Sequence, residues 1–207
     1  MASTHQILQT SQRPLTAEDF ESFPDDGNRY EIIAGQLIVS PSPTYPHQRA
    51  SMKLGNAIDS YLTREGMGEI VAAPMDVLLS SNDVVQPDLL VVLNERSAII
   101  QHGRVVGAPD LVVEILSPSS IETDFLRKSK LYEQAGVREY WIVNPEGETV
   151  SVQTLEGDRY LLTGEYGRDD TLRSTVIDGF DLELATIFPK SADEPDPAKE
   201  TQPSNDE

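Results

Sequence analysis

Two stretches of the sequence decide the fold: VVQPDLLVV at residues 84–92 and GAPDLVVEILSPSS at residues 107–120. Each contains a run of strand length made almost entirely of Leu, Val and Ile, which is typical of strands buried on both faces of a sheet. Each run also carries a carboxylate that the hydrophobic pattern does not explain, Asp88 at the start of the first and Glu114 within the second. The sequence therefore predicts a sheet in which two strands hold acidic side chains at buried positions.

The sequence around these runs predicts an α/β (α+β) domain with a mixed β-sheet core flanked by helices. Ala34-Gly35 separates two β-prone runs within residues 29–40 and predicts an N-terminal hairpin. Gly66 and Gly136 each follow a run with helical periodicity and are typical helix ends. After the hairpin the expected order is a helix at residues 46–64, strands at 69–72, 75–79, 89–93 and 111–116, a helix at 119–135, a strand at 140–143 and a C-terminal antiparallel meander at 149–163.

Length and composition favour a single folded unit. The 207 residues, 38% of them hydrophobic, suffice for one substantial core, and the absence of cysteine excludes disulfides, zinc–thiolate sites and cysteine nucleophiles. Both ends are polar and patternless, so we expect a mobile N-terminus at residues 1–13, one domain at residues 14–189 and a disordered acidic tail at residues 190–207. No segment is typical of a secretory signal or of a membrane span, so the expected location is cytoplasmic.

The charge balance opposes binding to a polyanion. Sixteen basic and thirty-five acidic residues give a formal net charge of −19, whereas DNA-binding proteins need a basic surface that offsets the phosphates. A local basic surface is nevertheless possible. Its candidate residues are Arg49, Lys53, Arg127, Lys128, Lys130 and Arg138.

Asp88 and Glu114 are the first candidates for a functional site. Burying an ionised carboxylate is costly unless it is paired, hydrogen-bonded or bound to metal. Neighbouring strands lie roughly 4.8 Å apart, so two acids that face the same side can hold one hard cation through oxygen ligands. The alternative is structural: Asp88 merely follows Pro87 at a strand start, and Glu114 pairs with a nearby arginine.

The order of motifs resembles a known family. Pro-Asp followed by a strand with Glu is similar to the PD-(D/E)XK nuclease superfamily, although that signature alone is short. More specific is the series RYEIIAGQLIVSPSP at residues 29–43, VVQPDLLVV, GAPDLVVEILSPSS, D-x3-K-x3-Y at residues 124–132 and GVREYWIVNP at residues 136–145. In this order they resemble the Uma family of restriction-endonuclease-like proteins over about residues 15–188.

The resemblance implies a metal-dependent nuclease. Asp88 and Glu114 match the two metal-binding acids of the superfamily, and we expect them to hold Mg²⁺ or Mn²⁺ together with the backbone carbonyl of Ile115. The implied substrate is DNA, and the resemblance also implies a homodimer.

The lysine of the superfamily motif is missing from the strand, where Leu116 stands two residues after Glu114. The resemblance implies that the lysine has moved to the following helix. There Asp124, Lys128 and Tyr132 are spaced four apart and share one face. We expect Lys128 to stabilise charge at the reacting phosphate, with Lys130 as the second candidate. In the alternative, Asp124 and Lys128 form an ordinary exposed helix pair, worth about 0.3–0.5 kcal/mol.

Glu31 and His47 are further candidates for catalysis. Glu31 interrupts an otherwise alternating strand, and the resemblance implies that it accompanies the metal acids; alternatively it is an edge-strand acid paired with Arg29 or a lysine. His47 lies on the inner side of the first turn of its helix. It could contact phosphate or relay a proton, or it could bond a neighbouring carbonyl.

Two classes of function remain after these observations. The first is a Mg²⁺- or Mn²⁺-dependent endonuclease that hydrolyses phosphodiester bonds in DNA. The second is a catalytically inactive nuclease fold that serves as a binding or regulatory module, which the acidic composition and the missing strand lysine favour. A hydrolase of smaller phosphate esters would suit the acidity, but no phosphate-binding glycine loop is present.

Overall fold

The computed structural model describes residues 6–8, 13–24, 26–40, 42–117 and 122–188, with only the backbone described for residues 6–8 and 122–124. The α-helices of these residues are α1 (Ala17–Phe20), α2 (Tyr45–Glu65) and α3 (Glu122–Ala135), and 3-10 helices cover Asn94–Ile99 and Leu184–Thr186. The strands are β1 (Gln6–Leu8), β2 (Arg29–Ile33), β3 (Gln36–Ser40), β4 (Gly68–Ala72), β5 (Val77–Ser80), β6 (Asp83–Val85), β7 (Leu89–Leu93), β8 (Ile100–Gln101), β9 (Arg104–Val106), β10 (Leu111–Ile115), β11 (Glu139–Asn144), β12 (Thr149–Glu156), β13 (Arg159–Gly167), β14 (Thr171–Arg173) and β15 (Asp181–Glu183).

Most of these strands form two larger mixed sheets. One has the order β1-β3-β2-β6-β5-β9-β8, the other has the order β13-β12-β11-β10-β7-β4, and β14 pairs with β15. In the six-stranded sheet β10 and β11 run parallel, while β10 and β7 run antiparallel. The parallel pair requires a crossover, and α3 supplies it between β10 and β11.

The six-stranded sheet is covered on both faces, which explains its continuous apolar runs. On one face Leu89 and Val91 pack with the buried side of α2 and with the C-terminal segment. On the other face Leu90 and Val92 pack with α3 and with residues of the seven-stranded sheet such as Val77. Because successive side chains of a strand alternate between faces, even-numbered residues of β7 face the interior between the two sheets.

The structure confirms the predicted hairpin, both long helices, the buried strands and the C-terminal meander. Gly66 caps α2 with a φ of 63°, in the left-handed region that favours glycine, as its position after the helical pattern indicates. The short strands β6, β8 and β9 were not predicted, because each has only two or three residues. Gln6–Leu8 pair with β3 although they lie in the segment predicted to be mobile. The predicted acidic tail at residues 190–207 lies outside the described residues.

Candidate active site

Asp88, directly before β7, lies opposite Glu114 on the antiparallel neighbour β10. The register pairs Val113 with Leu89 and Val112 with Leu90, and its continuation by one residue places Glu114 opposite Asp88. Both residues are only 4% exposed. Their parity matches Leu90 and Val112, so both side chains point into the interior between the two sheets. The sequence pattern anticipated this arrangement of two acids on one face.

Three groups bind the carboxylate of Asp88. Arg29 Nη1 donates to Oδ1 at 2.8 Å, the Ile115 amide donates to Oδ2 at 2.7 Å, and His47 Nε2 lies 3.1 Å from Oδ2. Burial alone would raise the pKa of Asp88, but the charge of Arg29 and the hydrogen bonds hold this pKa well below its usual range. Asp88 is therefore ionised and firmly positioned. The structural contact of Ile115 is its amide, whereas the sequence-based prediction concerned its carbonyl.

Glu114 accepts hydrogen bonds from α3. Lys128 Nζ donates to Oε1 at 2.9 Å and the Tyr132 hydroxyl donates to the same oxygen at 2.7 Å, while Arg29 Nη2 lies 3.9 Å from Oε2. Burial raises the pKa of Glu114; Lys128 opposes this, and repulsion from Asp88 adds to it, so the net shift is upward. Burial and the nearby carboxylate also raise the pKa of Tyr132, which keeps its hydroxyl protonated as a donor.

Glu31 completes the acidic group from the other sheet. Its Oε1 accepts hydrogen bonds from Lys128 Nζ and from the Gln86 amide, each at 2.9 Å, and Arg29 Nη2 lies 3.9 Å away. Burial would raise the pKa of Glu31, but Lys128 and Arg29 outweigh it and lower this pKa. The expectation of an edge-strand acid is wrong in one respect, because β2 lies between β3 and β6. The expected basic partners are both present.

Lys128 bridges the two sheets through this acidic group. It is 9% exposed, and its Nζ donates to both Glu31 and Glu114. Burial would lower the pKa of Lys128, but the two carboxylates raise it, so the ammonium stays charged. Lys128 is buried, so it is not the exposed residue that the alternative helix pair required, and the side chain of Asp124 lies outside the described part. Lys130, the second candidate, is exposed and is not part of the cluster.

Arg29 is the site residue that sequence reasoning missed, since it entered only as a possible partner of Glu31. It lies two residues before Glu31 on β2, so both side chains point to the same face. Its guanidinium lies between the three acids, at 2.8 Å from Asp88 and 3.9 Å from both Glu31 and Glu114. The parity of the two positions was a usable signal. We call Arg29, Glu31, Asp88, Glu114 and Lys128 the charged cluster.

His47 lies on the first turn of α2 and is 7% exposed. Its Nε2 contacts the Asp88 carboxylate, not the neighbouring carbonyl of the structural alternative. Its Nδ1 is buried and has no hydrogen-bond partner among the described residues. The contact with phosphate or a proton relay stays a prediction.

A cleft of about 430 Å³ opens beside the charged cluster. Arg29, His47 and Asp88 form one part of its lining, and Phe23 and Tyr30 form an aromatic part, with ring centroids 5.5 Å apart. This volume falls in the range of ligand sites, which are roughly 300–1,000 Å³. The cleft therefore reaches the charged cluster at Arg29 and Asp88.

The six candidate residues for a local basic surface differ in their exposure. Lys128 is buried in the charged cluster, Arg138 pairs with buried Asp110 at 3.1 Å, and Lys53 donates to the Thr186 carbonyl. Lys128 is therefore removed from the surface, whereas the Arg138 side chain is still 48% exposed. Arg49 and Lys130 are exposed, and Arg127 is half-buried.

The second Pro-Asp of the sequence has a structural role. Asp110 is fully buried and accepts hydrogen bonds from the Leu93 amide at 2.9 Å and from Arg138 at 3.1 Å, while Arg96 lies 3.5 Å away. It does not belong to the charged cluster. The structure thus distinguishes Asp88 from Asp110 where the dipeptide alone does not.

The donors of the charged cluster suit a hard divalent cation, because they are carboxylate oxygens. Three carboxylates face two permanent cations, so one negative charge is left uncompensated within the cluster. Among the described residues, however, no group of three or more His, Asp or Glu side chains converges on a common cation position. Arg29 and Lys128 lie between the acids and keep them apart. The chemistry of the site fits Mg²⁺ or Mn²⁺, while its closed arrangement is one in which arginine and lysine neutralise the acids.

Comparisons with known proteins agree with this architecture. The model of the Uma2 family, described as "Putative restriction endonuclease", matches residues 17–185. A crystal structure from Anabaena variabilis ATCC 29413, described as a putative nuclease belonging to DUF820, is similar with a TM-score of 0.72 and 20% identity, and the match covers 84% of this chain and 98% of that chain. No curated protein matches the chain. The predicted restriction-endonuclease-like fold is confirmed. In the part of the chain with described structure, no helix is long and apolar enough to cross a membrane.

Proposed function

Because the chain belongs to the Uma2 family, we propose that it is a Mg²⁺- or Mn²⁺-dependent nuclease that hydrolyses phosphodiester bonds in DNA. One observation carries this proposal: Asp88 and Glu114 lie opposite each other on adjacent strands, beside a buried lysine and an open cleft. Burying two acids and a cation together costs free energy, and such buried charged groups concentrate at functional sites.

Asp88 and Glu114 would hold the metal ion, with the carbonyl of Ile115 as the proposed backbone ligand. A bound divalent ion would polarise the phosphodiester and lower the pKa of a water molecule. Asp88 is prepared for this role, because its hydrogen bonds keep it ionised and fixed. Tyr132 orients Glu114 by donating to Oε1, and Oε2 lies 3.9 Å from Arg29 Nη2.

Lys128 would supply positive charge beside the reacting phosphate. Its ammonium is held between Glu31 and Glu114, so it is positioned before substrate arrives and needs no reorganisation. Glu31 acts as a positioning residue in this account, because it fixes Lys128. His47 would contact a phosphate oxygen or relay a proton; its position in the cleft lining, next to Asp88, supports this role.

Cleavage of plasmid and single-stranded DNA with Mg²⁺ or Mn²⁺ tests the proposal. We expect cleavage by the wild type, loss of cleavage with EDTA and loss of cleavage in Asp88→Asn. Asp110→Asn is the matched control, because it removes a buried aspartate that also follows proline and pairs with arginine. Failure of the wild type to cleave either DNA with either metal would refute the proposal, as would equal cleavage by Asp88→Asn. Sedimentation of the same samples tests the homodimer that we propose with it.

A second candidate is a nuclease fold that binds partners without turning over substrate. The position of Arg29 favours it, because Arg29 and Lys128 already neutralise most of the charge of the acids. This candidate predicts that divalent cations do not bind the charged cluster at all. Metal binding therefore distinguishes the two functions.

A further inference from the structure

The charged cluster contains more cations than a metal site can accommodate. The three buried carboxylates carry three negative charges when ionised, and the positive charges of Arg29 and Lys128 neutralise two of them. Adding a divalent ion with both basic residues in place would leave the cluster with an excess positive charge. Adding it while one of them leaves would make the cluster neutral. Net charge in a buried site is costly, so metal binding and the departure of one cation should be coupled.

Arg29 is the basic residue that can leave. The Lys128 ammonium makes two hydrogen bonds of 2.9 Å, and this residue of α3 is buried. The Arg29 guanidinium makes one, to Asp88, while its Nε and Nη2 are buried with no hydrogen-bond partner among the described residues. Unsatisfied buried donors cost free energy, so the position of Arg29 is a compromise. Lys128 is better satisfied where it is.

Arg29 also has space to move into. Its side chain is 23% exposed, against 11% for Lys128, and it lines the cleft of about 430 Å³. A rotation about its side-chain torsions would move the guanidinium from the acids into this cleft without a change in β2. A guanidinium suits bidentate hydrogen bonding to phosphate. A phosphodiester in the cleft would lie beside Asp88.

We propose that Arg29 is an exchangeable cation that neutralises Asp88, Glu31 and Glu114 when no metal is bound, is displaced by the divalent ion, and then binds a phosphate of the substrate in the cleft. This inference rests on the proposed function for its metal and its substrate. It assigns Arg29 a double role: it competes with the metal and it contributes to substrate binding.

The test is Mn²⁺ binding by calorimetry to wild type, Arg29→Gln and Arg29→Lys, with oligonucleotide binding measured in Ca²⁺. Removing one positive charge at contact distance should strengthen Mn²⁺ binding by about tenfold or more, because the effective dielectric constant there is low. The same substitution should weaken binding of a short fluorescent oligonucleotide. Arg29→Lys keeps the charge and should bind Mn²⁺ nearly as the wild type does. Arg138→Gln is the control, since it removes an arginine from a buried acid outside the charged cluster.

The outcomes separate this inference from the proposed function. If Arg29→Gln and wild type bind Mn²⁺ equally, or the variant binds it more weakly, Arg29 does not compete with the metal and the inference fails while the metal site stands. If neither protein binds Mn²⁺, the proposed function fails and takes the inference with it. Unchanged oligonucleotide binding in Arg29→Gln would remove the phosphate-binding role.

A measurement on the wild type covers the case in which Arg29→Gln does not fold. The Nε–H proton of Arg29 is buried, so its exchange with water, followed by NMR, should be slow in EDTA. Saturating Mg²⁺ should accelerate this exchange if the side chain moves into the cleft, with Arg29→Lys providing the assignment. Equally slow exchange with Mg²⁺ bound would overturn the proposal.

Discussion

Replacing Asp88 by asparagine in the metal-free protein should lower the free energy of unfolding by about 2 kcal/mol at pH 7, whereas Glu114→Gln should change it by less than about 1 kcal/mol. The two acids are equally buried, but their environments differ. Asp88 accepts hydrogen bonds from Arg29 and from the Ile115 amide, which favour its ionised form and lower its pKa. The ionised form of Glu114 is disfavoured, because its pKa is raised.

The magnitude for Asp88 follows from its contacts. Breaking a buried ion pair by removing one partner typically costs about 3–5 kcal/mol. The loss should be smaller here, because an asparagine oxygen can still accept from the Ile115 amide and because Arg29 keeps Glu31 and Glu114 at 3.9 Å. For Glu114→Gln, Tyr132 can still donate to the amide oxygen. The reduced repulsion from Asp88 offsets the weaker contact with Lys128.

Urea unfolding in EDTA, at several pH values, measures both variants. The folded pKa of Asp88 is lowered below its unfolded value of about 3.9, so its contribution is present above that pH and is lost as the pH falls through the folded pKa. The difference between wild type and Asp88→Asn should therefore shrink below about pH 4. Equal losses in both variants at pH 7, or no loss in Asp88→Asn, would refute the assignment of Arg29 and Ile115 as its stabilising partners.

Three further predictions concern α3 and the strand after Glu114. Tyr132→Phe should cost about 1–2 kcal/mol in urea unfolding, because Glu114 loses a buried hydrogen bond of 2.7 Å; an unchanged midpoint would contradict this. Lys128→Met should lower the cleavage rate about a hundredfold while Mn²⁺ binding is retained or strengthened, since the ammonium competes for the same carboxylate; cleavage at the wild-type rate would exclude Lys128 from catalysis. Adding Leu116→Lys to Lys128→Met should restore part of the activity if both positions reach the same phosphate, and no gain in rate over Lys128→Met would show that they do not.

The sequence predicted the core and two of its acids because periodicity reports burial directly. Continuous Leu and Val content placed β7 and β10 in the interior, and an acid within such a run has to be explained by a partner. The helical spacing of Lys128 and Tyr132 likewise predicted one shared face. Both side chains do reach Glu114.

The contacts between sheets could not be predicted in the same way. Arg29 belongs to the seven-stranded sheet and Asp88 lies next to the six-stranded one, fifty-nine residues apart in the chain. Their contact depends on how the sheets pack, which no local pattern encodes. A basic residue at a strand start is also ordinary in sequence, and the parity of Arg29 with Glu31 indicated a shared face with that acid but no contact with Asp88 or Glu114. For the same reason the sequence did not show that Lys128, a candidate for a basic surface, pairs with buried acids instead.

Calorimetric titration of the metal-free protein with Mn²⁺ tests the central claim, that Asp88 and Glu114 form a divalent metal site. We expect saturable binding to one site in the wild type, and loss of that binding in Asp88→Asn and in Glu114→Gln, while Asp110→Asn binds as the wild type does. Absence of binding in the wild type, or equal affinity in Asp88→Asn, would show that the charged cluster is not a metal site.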